Sequence, residues 1–296
     1  MGVSPWILAA RPKTLTASLA PVIVGTGLAI GMSDRPARLW LALVALLSAV
    51  CIQIGTNLVN DAADFEKGAD TEGRLGPTRV TQMGLLPGRT VMIGAAAFFV
   101  AATVLGIPLV LAGGTPILVI GLLSLAGGYA YTTGPFPLAY RGLGEVFVLL
   151  FFGFAAVKGM AYVLVGEGLW PWAEVAALQV GLQSATLLAI NNTRDIAGDR
   201  KAGKRTLAAR FGLRFARIEI LALVAAPFAL TPLWFLAGKP GAALLPWGAM
   251  PVALRLVDGV RREQPGRRFN VFLAWSSLLQ LLFSALVFAG LVLGAR

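Results

Sequence analysis

The chain has 296 residues, 57% of them hydrophobic and only 13% charged, with a mean hydropathy of +0.78; soluble globular chains carry roughly a quarter of their residues charged, so a soluble domain is excluded. The absence of histidine and the single cysteine exclude an internal disulfide, histidine-held metal or haem, and Ser-His-Asp chemistry. The net charge of +11 does not indicate nucleic acid as a partner, because the basic residues punctuate apolar runs instead of forming a face on a soluble module.

A helix needs about 20 apolar residues to cross the hydrocarbon. In chain order, runs of this kind start near Thr14, Leu39, Thr90, Pro116, Leu143, Trp172, Phe215, Ala242 and Phe269, separated by charged or Pro/Gly-rich breaks. They predict an all-α integral membrane protein of nine transmembrane helices, read as one domain over residues 1–296. The run after Arg11 and Lys13 reads as a first helix and not a cleaved leader. Cys51, inside an apolar run, reads as a small packed side chain. Lys158, inside the fifth span, requires a snorkelling path or an interior partner.

The basic residues separate by side. Arg11 and Lys13, the stretch from Asp61 to Arg89, Arg141, the stretch from Arg194 to Arg217 and that from Arg255 to Arg268 fall on one side; Arg35, Arg38, Lys239 and Arg296 fall on the other. Positive charge stays inside, so the richer side is expected in the cytoplasm together with the N-terminus, in a multi-pass protein of the cell's inner (plasma) membrane. The arginines Arg255, Arg261, Arg262, Arg267 and Arg268 read as membrane-surface charge.

Two acidic clusters lie on that side. The first is Asn57-Leu-Val-Asn60-Asp61-Ala-Ala-Asp64, whose spacing puts Asn57, Asp61 and Asp64 in one helical stripe. The second is Asn191-Asn192-Thr-Arg-Asp195-Ile-Ala-Gly-Asp199, with Asn191, Asp195 and Asp199 on one face. Asn57 and Asp61 recur as Asn191 and Asp195 at a common offset, a weak sign of internal duplication. Carboxylates that converge at the end of an apolar helix repel one another and call for a cation. Oxygen-only ligands favour Mg2+, which is usually held between one or two carboxylates and substrate phosphates. The pattern therefore suits a diphosphate bridged by metal ions. Lys67, Arg74 and Arg79 after the first cluster, and Arg194, Lys201, Lys204 and Arg205 around the second, are placed to neutralise phosphate oxygens.

The two motifs, Asn60-Asp61-xx-Asp64 and Asp195-xxx-Asp199-xxx-Gly203, resemble the paired motifs of the UbiA superfamily of intramembrane prenyltransferases. Arg11-Pro12-Lys13-Thr14-Leu15, Lys67 through Pro77, Tyr140-Arg141-Gly142-Leu143-Gly144-Glu145 and Asn191-Asn192-Thr193-Arg194-Asp195-Ile196 are similar to its 1,4-dihydroxy-2-naphthoate prenyltransferases. The superfamily's first motif often has a third aspartate four residues after the second; here that position is Gly68, with Asp70 two further on. The resemblance implies nine helices around a central cavity and Mg2+-dependent transfer of a polyprenyl group from polyprenyl diphosphate to 1,4-dihydroxy-2-naphthoate, with decarboxylation to demethylmenaquinone. It implies Asp61, Asp64, Asp195 and Asp199 as Mg2+ ligands, Asn57, Asn60 and Asn191 as residues orienting ligands or diphosphate, and Lys13, Arg74, Arg141 and Lys201 as contacts to substrate anions. Aromatics such as Phe147, Phe151, Phe152, Phe154 and Tyr162 either shield a carbocation or pack in the core or against lipid. Two alternatives remain open: another aromatic acceptor, such as homogentisate or 4-hydroxybenzoate, and a cation-coupled secondary transporter. Without histidine, the acceptor's base is unassigned.

Overall fold

The computed structural model describes residues 4–66, 75–76, 79–135 and 137–293, without the side chain of Lys13. After a short helix α1 (Pro5–Ala10) come α2 (Thr16–Met32) and α3 (Trp40–Glu66). They are followed by α4 (Gly88–Ala130), α5 (Gly144–Val165), α6 (Trp172–Arg194), the short α7 (Ile196–Lys201), α8 (Leu207–Leu236), α9 (Pro240–Arg262) and α10 (Phe269–Leu293). Among the described residues seven helices are long and apolar enough to cross a membrane, and α2, with 17 residues, is apolar but shorter.

The separate starts expected near Thr90 and Pro116 fall within one 43-residue helix, α4. At 1.5 Å per residue it would run about 65 Å, twice the thickness of the hydrocarbon. It does not run straight. Gly114 has φ 65° and ψ −152°, a conformation open to glycine and costly for residues with a Cβ, and Pro116 follows. Likewise α8 begins at Leu207, eight residues before the expected Phe215, because a turn capped by the Thr206 hydroxyl (accepting from the Ala209 N–H at 3.2 Å) precedes a break at Gly212, φ 81°.

Four apolar clusters are present among the described residues, the smallest joining α7 to α8 through Ile196, Ala208 and Ala216. The largest joins α2, α5, α6, α8, α9 and α10 through Val24, Val157, Ala177, Val224, Leu256 and Phe283. A second joins α2 to α5 through Leu41, Leu109, Ile117 and Met160, and a third joins α1, α3 and α4 through Ala9, Leu58 and Val91. In lipid, helices associate by close packing more than by hydrophobic exclusion, so small residues mark the tightest contacts. Gly153, in a π-helical stretch of α5 (Leu149–Lys158), faces Gly181 of α6; a Cβ on Gly153 would lie 2.4 Å from the Ala177 carbonyl oxygen. Lys158 finds a partner at the start of α6, where its Nζ donates to Glu174 Oε1 at 2.5 Å, both side chains being partly exposed.

The α5–α6 contact gives a direct prediction. Gly153→Val overpacks it by about 1–3 kcal/mol and should lower the thermal midpoint in detergent, whereas Gly106→Ala, with open space around its Cβ position, should leave it unchanged. Equal midpoints for both variants would contradict the packing described.

Candidate functional site

The C-terminal ends of α3 and α6 bring the two acidic clusters to one end of the bundle. Asp64, 2% exposed, accepts from Arg79 Nη2 at 2.8 Å, from Lys204 Nζ at 3.2 Å and from the Tyr140 hydroxyl at 3.0 Å. Lys204 belongs to the second cluster, so this ion pair joins halves that lie 140 residues apart in sequence. A buried carboxylate needs such donors, because desolvation disfavours its charge.

The second half is organised by Arg194. Its guanidinium is completely buried and donates to both oxygens of Asp195 (Nε to Oδ1 at 2.9 Å, Nη2 to Oδ2 at 2.6 Å), to Asn191 Oδ1 at 2.7 Å and to Asn270 Oδ1 at 2.7 Å. Arg194 was expected to neutralise phosphate; it instead lies beneath the cluster as its brace, which suits the planar fork of donors that lysine lacks. Asp199 accepts from the Thr206 hydroxyl at 3.3 Å. Burial, reinforced by Asp195 and Asp64 and opposed by Lys204 and the Thr206 hydroxyl, pushes its carboxyl up to about 6.

Asp61 departs from the stripe predicted for it. It is fully buried and does not line the cavity that Asn57, Asn60 and Asp64 reach. Its carboxylate accepts from the backbone N–H groups of Val80 (3.2 Å) and Thr81 (3.1 Å) and from the Thr81 hydroxyl, clamping the segment that carries Arg79. At about 100° per residue, Asp61 sits roughly 60° around the helix from Asp64, enough to aim it at this segment. The apparent duplication does not extend to geometry, since its counterpart Asp195 does line the cavity.

That cavity has a volume of about 1500 Å³. Asp64, Asp195, Asp199, Arg79, Lys201 and Lys204 line its polar end, while Val22, Ile52, Ile107, Ile120, Phe151 and Met160 line its apolar length. Asn57 ties α3 to the N-terminal segment, donating to the Ala10 carbonyl (3.0 Å) and to Thr14 Oγ1 (3.1 Å), and Asn60 Oδ1 accepts from the Thr132 hydroxyl at 2.6 Å. Arg141 is exposed and does not line the cavity. Arg74, Lys67, Gly68 and Asp70 lie outside the described residues, as does the side chain of Lys13. Among the described residues no group of three or more acidic or thiol side chains converges to hold a metal. The donor set still fits Mg2+, because Asp64 from one cluster and Asp195 and Asp199 from the other bring hard oxygen ligands to the same polar end.

Sequence reasoning missed several lining residues. Arg267, read as surface charge, stands at the cavity wall, and Arg11, which precedes the residue chosen, also lines it. Glu145 and Asn192 line it as well, bonded to each other at 2.7 Å. Both fall in stretches quoted for the resemblance, and their adjacency across two helices leaves no mark in sequence spacing. Of the aromatics, Phe147, Phe151 and Phe152 line the cavity, with Phe147 stacked on Phe151 at 4.2 Å, whereas Phe154 and Tyr162 pack against the core.

An amphiphilic cavity with acidic and basic groups at one end narrows the family, and the pattern of the UbiA prenyltransferase family matches residues 18–283. The chain belongs to that family. It is 35% identical over 295 residues to the 1,4-dihydroxy-2-naphthoate octaprenyltransferase of Mycobacterium tuberculosis, covering 98% of this chain and 97% of that protein. To the Bacillus subtilis protein of the same description it is 32% identical over 287 residues, covering 95% and 88%. Its fold matches that of a UbiA homolog from Archaeoglobus fulgidus bound to DMAPP and Mg2+, with a TM-score of 0.71 at 19% identity over 97% of this chain and 99% of that one. The apo UbiA homolog from Aeropyrum pernix K1 also gives a TM-score of 0.71, at 22% identity over 96% and 98%. As a UbiA-family enzyme the protein is a prenyltransferase, which removes the reason for a transporter reading.

Arg194 supports the second half of this UbiA site from below. Arg194→Met should leave Asp195, Asn191 and Asn270 without their buried donor and cost about 3–5 kcal/mol, read as a large fall in thermal midpoint and loss of folded yield. An unchanged midpoint would show that the brace is dispensable.

Proposed function

We propose that this protein transfers a polyprenyl group from a polyprenyl diphosphate to 1,4-dihydroxy-2-naphthoate, with Mg2+ and with loss of the carboxyl group, giving the prenylated 1,4-naphthalenediol, demethylmenaquinol, whose two-electron oxidation to demethylmenaquinone is a separate step. The observation that carries the reading is the Lys204–Asp64 pair, 3.2 Å apart, at the polar end of a long apolar cavity. The names of the relatives support the naphthoate acceptor, and the DMAPP- and Mg2+-bound fold neighbour supports a diphosphate at the acidic end.

Asp64, Asp195 and Asp199 are assigned as the carboxylates that hold Mg2+, with Asn60 and Asn191 orienting them. Bound Mg2+ would supply positive charge to the departing diphosphate oxygens. Arg79, Lys204 and Lys201 face the same oxygens and stabilise the negative charge that develops as the allylic carbon–oxygen bond opens. The apolar length of the cavity keeps water from the allylic cation, and the Phe147–Phe151 stack offers it a π-face. Lys13 and Arg74 are retained as contacts to substrate anions on the basis of sequence; Arg141, exposed and outside the cavity lining, is not. Asp61 is reassigned: it positions the Arg79 segment.

We assign nine crossings, counting α2 and taking α4 as two legs broken at Gly114. This count places the N-terminus with the site, and the distribution of lysine and arginine makes that side the cytoplasm, in the plasma membrane.

Purified protein given dihydroxynaphthoate and a polyprenyl diphosphate should yield the prenylated, decarboxylated product by mass spectrometry only with Mg2+, and Asp199→Asn should reduce turnover at least ~100-fold. Product formed equally with homogentisate or 4-hydroxybenzoate would overturn the acceptor assignment. Asp61→Asn separates the two roles considered for it. With its segment unclamped, the KM for the donor should rise while the Mg2+ concentration for half-maximal rate stays the same. A raised Mg2+ requirement would return Asp61 to the metal.

A further inference from the structure

The reaction proposed above has no assigned base, and one carboxylate in the cavity is unused by the diphosphate half. Glu145, at the start of α5, is 7% exposed and lines the same cavity as Asp64, Asp195 and Asp199. Asn192 Nδ2 donates to its Oε1 at 2.7 Å, which fixes the side chain. Its Oε2 is fully buried and has no hydrogen-bond partner. Of the four carboxylates lining the cavity among the described residues, it alone has a fully buried oxygen without a donor. A buried acceptor without a donor is destabilising; a small turn of the carboxylate, pivoting on the Oε1 held by Asn192, would bring Oε2 to the cavity that Glu145 lines, where a ligand's O–H would satisfy it.

The surroundings fit a flat aromatic ligand. Tyr131 and Phe147 are 5.6 Å apart, Phe147 stacks on Phe151, and all three line this wall. One turn of α6 serves both halves of the cavity: Asn191 is bonded to Arg194 of the diphosphate half, and the adjacent Asn192 holds Glu145.

We propose that Glu145 is the general base for the aromatic acceptor, with Asn192 as its positioning residue. The assignment rests on the reaction proposed above. Oε2 takes the proton of the ring hydroxyl adjacent to the carboxylate-bearing carbon. The O–H electron pair moves into the ring as that carbon bonds to the allylic carbon, whose bond to diphosphate oxygen breaks with its pair leaving on diphosphate. The intermediate is a β-keto carboxylate. Its C–CO2 bond breaks, the pair restores the aromatic ring, and the ring oxygen takes the proton back from Glu145. Diphosphate and CO2 leave, and Glu145 ends as the carboxylate it began as.

Glu145→Gln keeps the shape and the bond from Asn192 but cannot accept the proton. Its kcat with dihydroxynaphthoate should fall at least ~100-fold, within the range for loss of a general base, while Mg2+-dependent binding of farnesyl diphosphate, measured by titration, stays within about twofold. A ring-fluorinated dihydroxynaphthoate, whose hydroxyl ionises more readily, should recover at least about tenfold of the deficit in the variant and gain far less in the parent. Turnover of Glu145→Gln within about tenfold of the parent, loss of farnesyl diphosphate binding together with turnover, or no recovery with the fluorinated acceptor would each overturn the proposal. No product from the parent protein would instead overturn the reaction on which the proposal stands, and that result is read without any variant.

Discussion

Asp64 sits at the buried end of an apolar helix, where a bare carboxylate is untenable, and everything around it follows from the need to supply it with donors. Arg79 arrives on a segment clamped by Asp61, Lys204 arrives from the loop after α7, and Tyr140 arrives from the connection between α4 and α5. Each donor belongs to a different stretch of chain. Satisfying one carboxylate therefore draws the cytoplasmic-side connections assigned here into one polar end, with charge that an anionic ligand and its metal can share.

Below that end the helices leave a long apolar space instead of a filled core. The break at Gly114 and the π-helical stretch of α5 are local departures from regular helix geometry, and both lie in segments that border the cavity. A diphosphate head with a prenyl tail matches this division. Tyr131, Phe147 and Phe151, tilted against one another, line the same chamber beside Glu145, where the proposed aromatic acceptor would meet the allylic carbon.

The helical membrane fold and the importance of the two clusters were legible in the sequence because hydropathy and acidic spacing are local signals. Span starts at Leu39, Trp172 and Phe269 lie close to the observed helices. The rest depended on tertiary contacts. Asp61 shares a stripe with Asp64 by helical period, yet the segment at Val80 and Thr81 captures it. Arg194 looks like any basic residue after an apolar span, and only its bonds to Asn191, Asp195 and Asn270 reveal a brace. Glu145 reads as an ordinary acidic residue at a helix start until Asn192, on another helix, is seen to hold one of its oxygens and leave the other without a donor. Period and hydropathy place residues on faces, but they do not say which neighbour a face meets.

The central claim is that the clusters near Asp64 and Asp199 form one diphosphate site joined through Lys204. A double-mutant cycle on donor affinity tests it most directly, with Asp64→Asn, Lys204→Met and the pair measured for Mg2+-dependent binding of a polyprenyl diphosphate. Groups in direct contact couple, with a non-additive energy of about 0.5–3 kcal/mol, whereas distant sites add. Clear non-additivity is the predicted result, and additive losses would contradict a single shared site.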